Sequence, residues 1–127
     1  MPKRTNRPIF LDLTRIRQPI TALISIAHRI AGIILFLSIP FAIYLLELSV
    51  SSQRSYNQLQ DIFGHGAVKL AVLLILWALA HHIFAGIRGL LIDIGIGVER
   101  DEARRTAWII VIGSMATLLM VGGIILW

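Results

Sequence analysis

Three long apolar runs divide the chain. The first extends from about Thr21 to Val50, the second from about Ala67 to Ile94 and the third from about Ala107 to Trp127. Each exceeds the roughly 20 residues of helix that cross a bilayer. The pattern therefore predicts an all-α membrane domain of three transmembrane helices over residues 21–127, preceded by a polar arm over residues 1–20. Too little chain lies outside the spans for a separate soluble domain. Pro19, followed by Ile20 and Thr21, suits a helix start, because proline is tolerated in a first turn. Pro40 falls inside the first span, where it removes one backbone hydrogen bond and favours a kink, although membrane helices tolerate such prolines. The LDLTRI segment, residues 11–16, could form a short amphipathic turn at the membrane surface. SSQRSYNQLQDIFGHG, residues 51–66, reads as a solvated outer loop in which His65 is an ordinary loop residue. GIGVERDEARR, residues 95–105, reads as a solvated turn between the second and third spans.

Composition agrees with the pattern: 57% of the residues are hydrophobic, above the roughly 45–50% of soluble domains. The formal net charge of +5 invites a nucleic-acid reading, but its distribution argues for a membrane. Lys3, Arg4, Arg7, Arg15 and Arg17 precede the first span, and Arg100, Arg104 and Arg105 lie between the second and third. The loop between the first two spans has only Arg54, with Lys69 at the edge of the next helix. Lysine and arginine favour the cytoplasmic side of short loops. The N-terminus and second loop are thus expected inside and the C-terminus outside, with the basic arm meeting lipid phosphates or a docked partner and no nucleic acid. The chain has no cysteine, which excludes disulfides and cysteine-ligated clusters within it. The N-terminus lacks the pattern of a cleaved signal peptide, since the apolar run beyond Arg29 is too long for an h-region. Helices meet in lipid through small residues and polar contacts. Gly113, Ser114, Gly122 and Gly123 offer such surfaces, either to partner helices of another chain, giving a heteromeric bundle, or to lipid.

Polar residues inside the spans need a partner or a task, because a charge at the centre of a membrane helix costs about 2.5–3.5 kcal/mol on insertion scales. Ser25, His28, Arg29 and Gly32 follow the spacing i, i+3, i+4, i+7 and so share a helical face. Snorkelling to the interface accounts for Arg29 alone, but not for the grouping. The second span reads WALAHHIFAGIRGLLIDIG, residues 77–95. His82, Gly86, Gly89 and Asp93 share one face, and His81, Ala85 and Arg88 a neighbouring one. A neutral imidazole near mid-membrane is a natural haem ligand, and glycine one turn away leaves room for a flat macrocycle. A histidine hydrogen-bonded to a neighbouring helix is equally compatible with the spacing. Rise per residue puts His28 and His82 about 8 Å apart along the membrane normal. That separation argues against both clamping one haem within this chain and favours a second ligand from another subunit, with His28 and Arg29 placed to meet anionic propionates.

Taken together, RPIFLDLTRIRQPITALISIAHRIAG and HHIFAGIRGLLID resemble the cytochrome b membrane-anchor subunits of succinate dehydrogenase, respiratory complex II. The likeness covers nearly the whole chain: the basic RP arm, S-x-x-H-R-x-x-G in the first span, H-x-x-x-G-I-R…D in the second, and a plain third span ending in tryptophan. It implies a four-subunit enzyme of the tricarboxylic acid cycle in a bacterial inner membrane. A flavoprotein subunit would oxidise succinate, an iron–sulfur subunit would carry the electrons, and two small anchors would share a haem b and bind ubiquinone. This chain would be one anchor, not catalytic alone. By the same resemblance His82 is the haem axial ligand, Ser25 and Arg29 bind quinone, and His28, Arg29 and Arg88 lie at the haem propionates or pocket. Asp93 is a candidate proton relay, or an ion-pair partner of Arg88. Two departures stand out. Gly89 occupies a place where many members carry histidine, and His81 stands beside His82, so the axial assignment could slip by one; alignment with Gly86 favours His82. The alternatives are a fumarate reductase-type anchor, a purely structural anchor, and a proton-relay subunit without haem.

Overall fold

The computed structural model describes residues 17–126. The expected amphipathic turn at residues 11–16 and most of the basic arm lie outside them. Four helices follow one another: α1 (Ile20–Ser51), α2 (Gln53–Gly64), α3 (Gly66–Asp93) and α4 (Arg100–Leu126). There is no strand among the described residues. Helices α1, α3 and α4 are each long and apolar enough to cross a membrane, as the three apolar runs require. They pack on one another in all three pairings.

The packing is that of a protein dissolved in lipid. Its buried positions are mostly small: Ala31, Ala78 and Ala107 are completely buried and Ala85 nearly so. Ala85 and Ala107 join Ile24 and Ile110 in the cluster where α1, α3 and α4 meet. Large apolar side chains point outward, with Phe36, Val50, Leu119 and Ile124 each more than 70% exposed. Without a hydrophobic drive between helices, close backbone approach and van der Waals contact hold them together, which favours small residues at the seams. Ser114 is buried on α4, and a Cβ on Gly113 or Gly122 would touch Phe84 or Leu73 of α3. Three of the four small residues singled out on the third span therefore serve contacts within the chain, while Gly123 faces open space. Hydroxyls in the spans bond back to their own helix: Ser38 Oγ to Leu35 O at 2.7 Å, Ser114 Oγ to Val111 O at 3.1 Å and Thr117 Oγ1 to Gly113 O at 2.9 Å.

The ends of the helices account for two differences from the sequence expectations. Pro19 caps α1, its carbonyl accepting from Ala22 N at 3.0 Å and Leu23 N at 3.2 Å, and α1 runs unbroken through Pro40. The segment expected as an outer loop instead contains α2. Ser52 Oγ accepts from Ser55 N at 3.1 Å at its start, an N-cap that supplies an orphan donor with a partner. Leu59 and Ile62 then lie half-buried on the side against α1 and α3, while Gln58, Gln60 and Asp61 are exposed. The segment is an amphipathic helix whose short apolar stripe is diluted by its polar content.

At the other end, the expected solvated turn shortens to residues 94–99, because α4 begins at Arg100. Asp101 and Glu102 occupy its first turn, where carboxylates favour the positive end of the helix dipole. A Schellman motif closes α3: Ile96 N donates to Leu91 O at 2.8 Å and Gly95 N to Ile92 O at 2.9 Å, with Gly95 at φ +82°. Only glycine takes that conformation without steric cost. Gly95→Ala should therefore cost about 1–2 kcal/mol and lower the thermal midpoint of the purified protein. Gly123→Ala, in open space within a helix, should leave the midpoint unchanged or raise it.

Candidate functional site

One cleft along the α1/α3 seam gathers several of the polar residues singled out in the spans. Ser25 and His28 of α1 line it, with His82, Gly86, Arg88, Gly89 and Asp93 of α3. Helices α1 and α3 run antiparallel, and their glycines set the register. A Cβ on Gly86 would lie 3.6 Å from His28 Nε2; one on Gly32 would lie 3.1 Å from His82 Cε1 and 3.5 Å from its Nδ1. Four residues forward on α1 thus correspond to four residues back on α3. Each imidazole fills the space over a glycine of the opposite helix, and the two rings stack with centroids 4.1 Å apart and planes 25° from parallel.

The stacking contact bridges a backbone offset. By the register of the two glycines, His28 and His82 stand four residues apart along the seam, about 6 Å of helix where about 8 Å was expected, and their side chains span it. The same register brings the first turn of α1 level with the last turn of α3, with Arg100–Trp108 of α4 beside it. The contact adds a second argument against an internal clamp. Two histidines whose rings stack present their faces to each other, and two axial ligands must instead point at a metal from opposite sides.

A hydrogen bond fixes the orientation of His82. Its Nδ1 lies 3.2 Å from the backbone carbonyl oxygen of His28. A carbonyl only accepts, so Nδ1 carries the proton and, in the neutral ring, Nε2 keeps its lone pair. Metal-bound histidines commonly bond a carbonyl or carboxylate through the second nitrogen in this way. His82 is half-buried on the cleft. His81, by contrast, is 3% exposed and sealed among the helices beside Trp77, at a ring-centroid distance of 5.5 Å. Neither of its ring nitrogens has a partner among the described residues, and neither does His28 Nε2. A ligand approaching from outside the chain reaches His82 and not His81.

The remaining candidates divide. Ser25 is exposed at the rim of the cleft. Arg29, on the same face of α1 in the sequence pattern, turns one step further round and is exposed on the outer surface of the bundle; it does not line the cleft with His28. Arg88 lies between two hollows and sends its guanidinium to α4, donating from Nε to Thr106 Oγ1 at 3.1 Å and from Nη2 to Ala103 O at 3.2 Å. Its hydrogen bonds therefore run to α4 and not to Asp93, which is exposed at the inner end of the cleft. The anchoring role of Thr106 and Ala103 escaped the sequence reading. The signal for it was an arginine one turn from an interhelical face with a threonine opening the next span. The other missed feature is the Gly32–His82 contact, which needs the antiparallel register.

Fold and cleft together define a small multi-pass helical membrane protein with imidazoles held between two of its spans. Comparison with known sequences narrows this. Residues 3–121 match the family described as succinate dehydrogenase/fumarate reductase transmembrane subunit, and the chain belongs to that family. It is 39% identical over 117 residues to the succinate dehydrogenase cytochrome b556 subunit of Coxiella burnetii, covering 91% of this chain and 94% of the relative. It is 28% identical to the cytochrome b556 subunit of Paracoccus denitrificans, covering 92% and 90% respectively. Against the cytochrome b560 subunit of Reclinomonas americana it is 34% identical, covering 82% and 76%.

The two glycines of the interlock differ in clearance, which sets a test. An alanine at position 32 forces the His82 ring to shift by a few tenths of an ångström, whereas one at position 86 makes ordinary contact. Gly32→Ala should destabilise the protein by about 1–3 kcal/mol, the usual cost of overpacking, and Gly86→Ala by clearly less, both read by thermal unfolding in detergent.

Proposed function

We propose that this chain is one of two membrane anchors of a succinate:quinone oxidoreductase, that His82 ligates a haem b shared with the second anchor, and that Ser25 and Arg29 contribute to the ubiquinone site. The observation that carries the haem assignment is the His82 Nδ1 hydrogen bond to His28 O. It supports a neutral tautomer with a free Nε2 on a cleft that opens at the surface of the chain. The fit extends to the cleft wall at Gly89, where a side chain would meet only open space. When bound, the haem would accept and pass single electrons. His28 buttresses the ligand ring by stacking; Arg29, outside the cleft, would meet a propionate only where the haem edge emerges toward the second anchor. Arg88 is tied to α4, which makes it a wall of the haem pocket that holds α3 to α4.

In this reading the arm and the Arg100–Arg105 segment face the cytoplasm, where a flavoprotein and an iron–sulfur subunit dock, and the C-terminus faces outward. Succinate chemistry takes place on those soluble subunits. Ser25 sits about a turn inward of His28, at the rim, and would donate a hydrogen bond to one quinone carbonyl. Arg29, exposed beside it, would stabilise the negative charge that builds up as electrons arrive, a preorganised electrostatic role. Asp93, at the cytoplasmic end of the cleft, would hand protons to the reduced quinone. The same anchor run in the reverse direction would serve fumarate reduction; the cytochrome b subunits of succinate dehydrogenase among its relatives favour succinate oxidation.

Ser25→Ala and Arg29→Leu should each lower quinone reductase activity of the assembled complex about tenfold to a hundredfold, the worth of a charge-assisted hydrogen bond. Succinate oxidation with a soluble dye acceptor should be unchanged. Equal survival of both activities would remove the quinone assignment. His82→Tyr should alter or abolish the haem spectrum of the complex, and His81→Phe should preserve it. The opposite pattern would transfer the ligand to His81.

A further inference from the structure

The three long helices form three seams, and only the α1/α3 seam carries the histidine cleft. The α1/α4 seam has a different character. At its basic end, the starts of α1 and α4 diverge around a hollow of about 750 Å³ that has apolar walls and a charged mouth. Gln18, Thr21, Arg100, Arg104 and Trp108 line it, together with one carboxylate, Asp101. Below the hollow the seam closes, where Ile20 and Ile24 of α1 meet Ala107, Ile110 and Val111 of α4.

Depth and charge both point to what fills the hollow. The apolar run of α4 begins at Ala107, so Arg100 and Arg104 stand within about 10 Å of helix above it. That is the headgroup layer for a span whose apolar part lies in hydrocarbon. Trp108 sits just below, at the level where tryptophan is enriched in membrane proteins. Arg104, Trp108, Ile112, Met115 and Leu119 follow one another at i, i+4, i+8, i+11 and i+15, and all are exposed. They form one stripe down α4, cationic at the top, aromatic at the interface and apolar through the span. A phospholipid has the same sequence of chemistries along its length. The chain before α1 adds Lys3, Arg4, Arg7, Arg15 and Arg17 against a single Asp12; of the other carboxylates at this end, Asp93, Glu99, Asp101 and Glu102, only Asp101 lines the hollow, against two arginines.

We propose that the hollow between the starts of α1 and α4 binds the phosphate of an anionic phospholipid, with Arg100 and Arg104 on the phosphate and the acyl chains along the Trp108–Leu119 stripe. The inference rests on the cytoplasmic placement of this end only for which leaflet supplies the lipid. It does not depend on the haem or quinone assignments. Arginine suits the task because its guanidinium meets phosphate oxygens in a bidentate geometry. The lipid would also close the α1/α4 seam on the side away from the histidine cleft.

The test uses the complete complex, purified through this chain and washed with a delipidating detergent, with retained lipids counted by mass spectrometry. The wild-type complex should retain one anionic phospholipid per copy of this chain, and the Arg100→Gln/Arg104→Gln variant should lose it. Zwitterionic lipid and the haem spectrum should be the same in both. Equal retention of anionic lipid overturns the proposal. So does a variant that keeps its lipid but loses a protein subunit, which would make the hollow a protein contact. Should the variant fail to assemble, photocrosslinking of the wild-type complex with diazirine-labelled phosphatidylglycerol decides. Labelled peptides covering residues 17–21 or 100–108, and none with labelled phosphatidylethanolamine, support the site; equal labelling by both lipids refutes it.

Discussion

Two histidines and two glycines hold the functional seam of this protein together. His28 lies over Gly86 and His82 near Gly32, the rings stack, and His82 closes the contact with a hydrogen bond to the His28 carbonyl. In hydrocarbon a polar group needs a partner; His82 finds one in the His28 carbonyl of the facing helix, while the His28 ring meets it only by stacking. The interlock sets the register of α1 against α3. Through that register it brings Ser25, Arg88 and Asp93 to a single cleft and turns Arg29 to the outside. The tautomer of His82 follows from the same bond. A ring free to turn could not keep Nε2 aimed at a fixed place.

The rest of the fold obeys the solvent. Small residues occupy the seams and large apolar ones the periphery, the reverse of a soluble core. A bundle so built has little to hold it rigid except close contact and a few polar ties, of which Arg88 to Thr106 and Ala103 is the clearest between α3 and α4. Its broad apolar surface is a place for lipid and for other subunits, in keeping with a chain that belongs to a family of respiratory anchors. On the two proposals made above, the seams divide the labour: α1/α3 for redox ligands, α1/α4 for lipid.

Much of this was legible before any coordinates. Apolar runs longer than a bilayer is thick gave the three spans within a residue or so at most ends, because the hydrocarbon constraint acts on composition directly. A turn after α3 was legible in GIGVERDEARR, though its Schellman geometry was not. Two features were not legible for identifiable reasons. The first is α2, whose half-buried Leu59 and Ile62 are too few to stand out among the glutamines and serines around them. The second is the contact between the two imidazoles. Counting residues from the helix ends approximates their backbone separation, but not that the rings turn toward each other across it, which the His28–Gly86 and Gly32–His82 contacts show. A turn about the helix axis separates His81, sealed beside Trp77, from His82 on the cleft. Adjacent positions on a helix differ by 100°, and sequence alone does not say which of the two faces its neighbour.

The central claim is that the interlocked imidazole at position 82 is preset as one half of a haem site completed by another chain. A dithionite-reduced minus oxidised spectrum of the complex purified through this chain, with haem and subunits quantified together, tests it most directly. The account predicts a b-type spectrum at one haem per copy of this chain, in a complex that contains a second small membrane subunit. A complex that carries flavin and iron–sulfur subunits but no haem would contradict it.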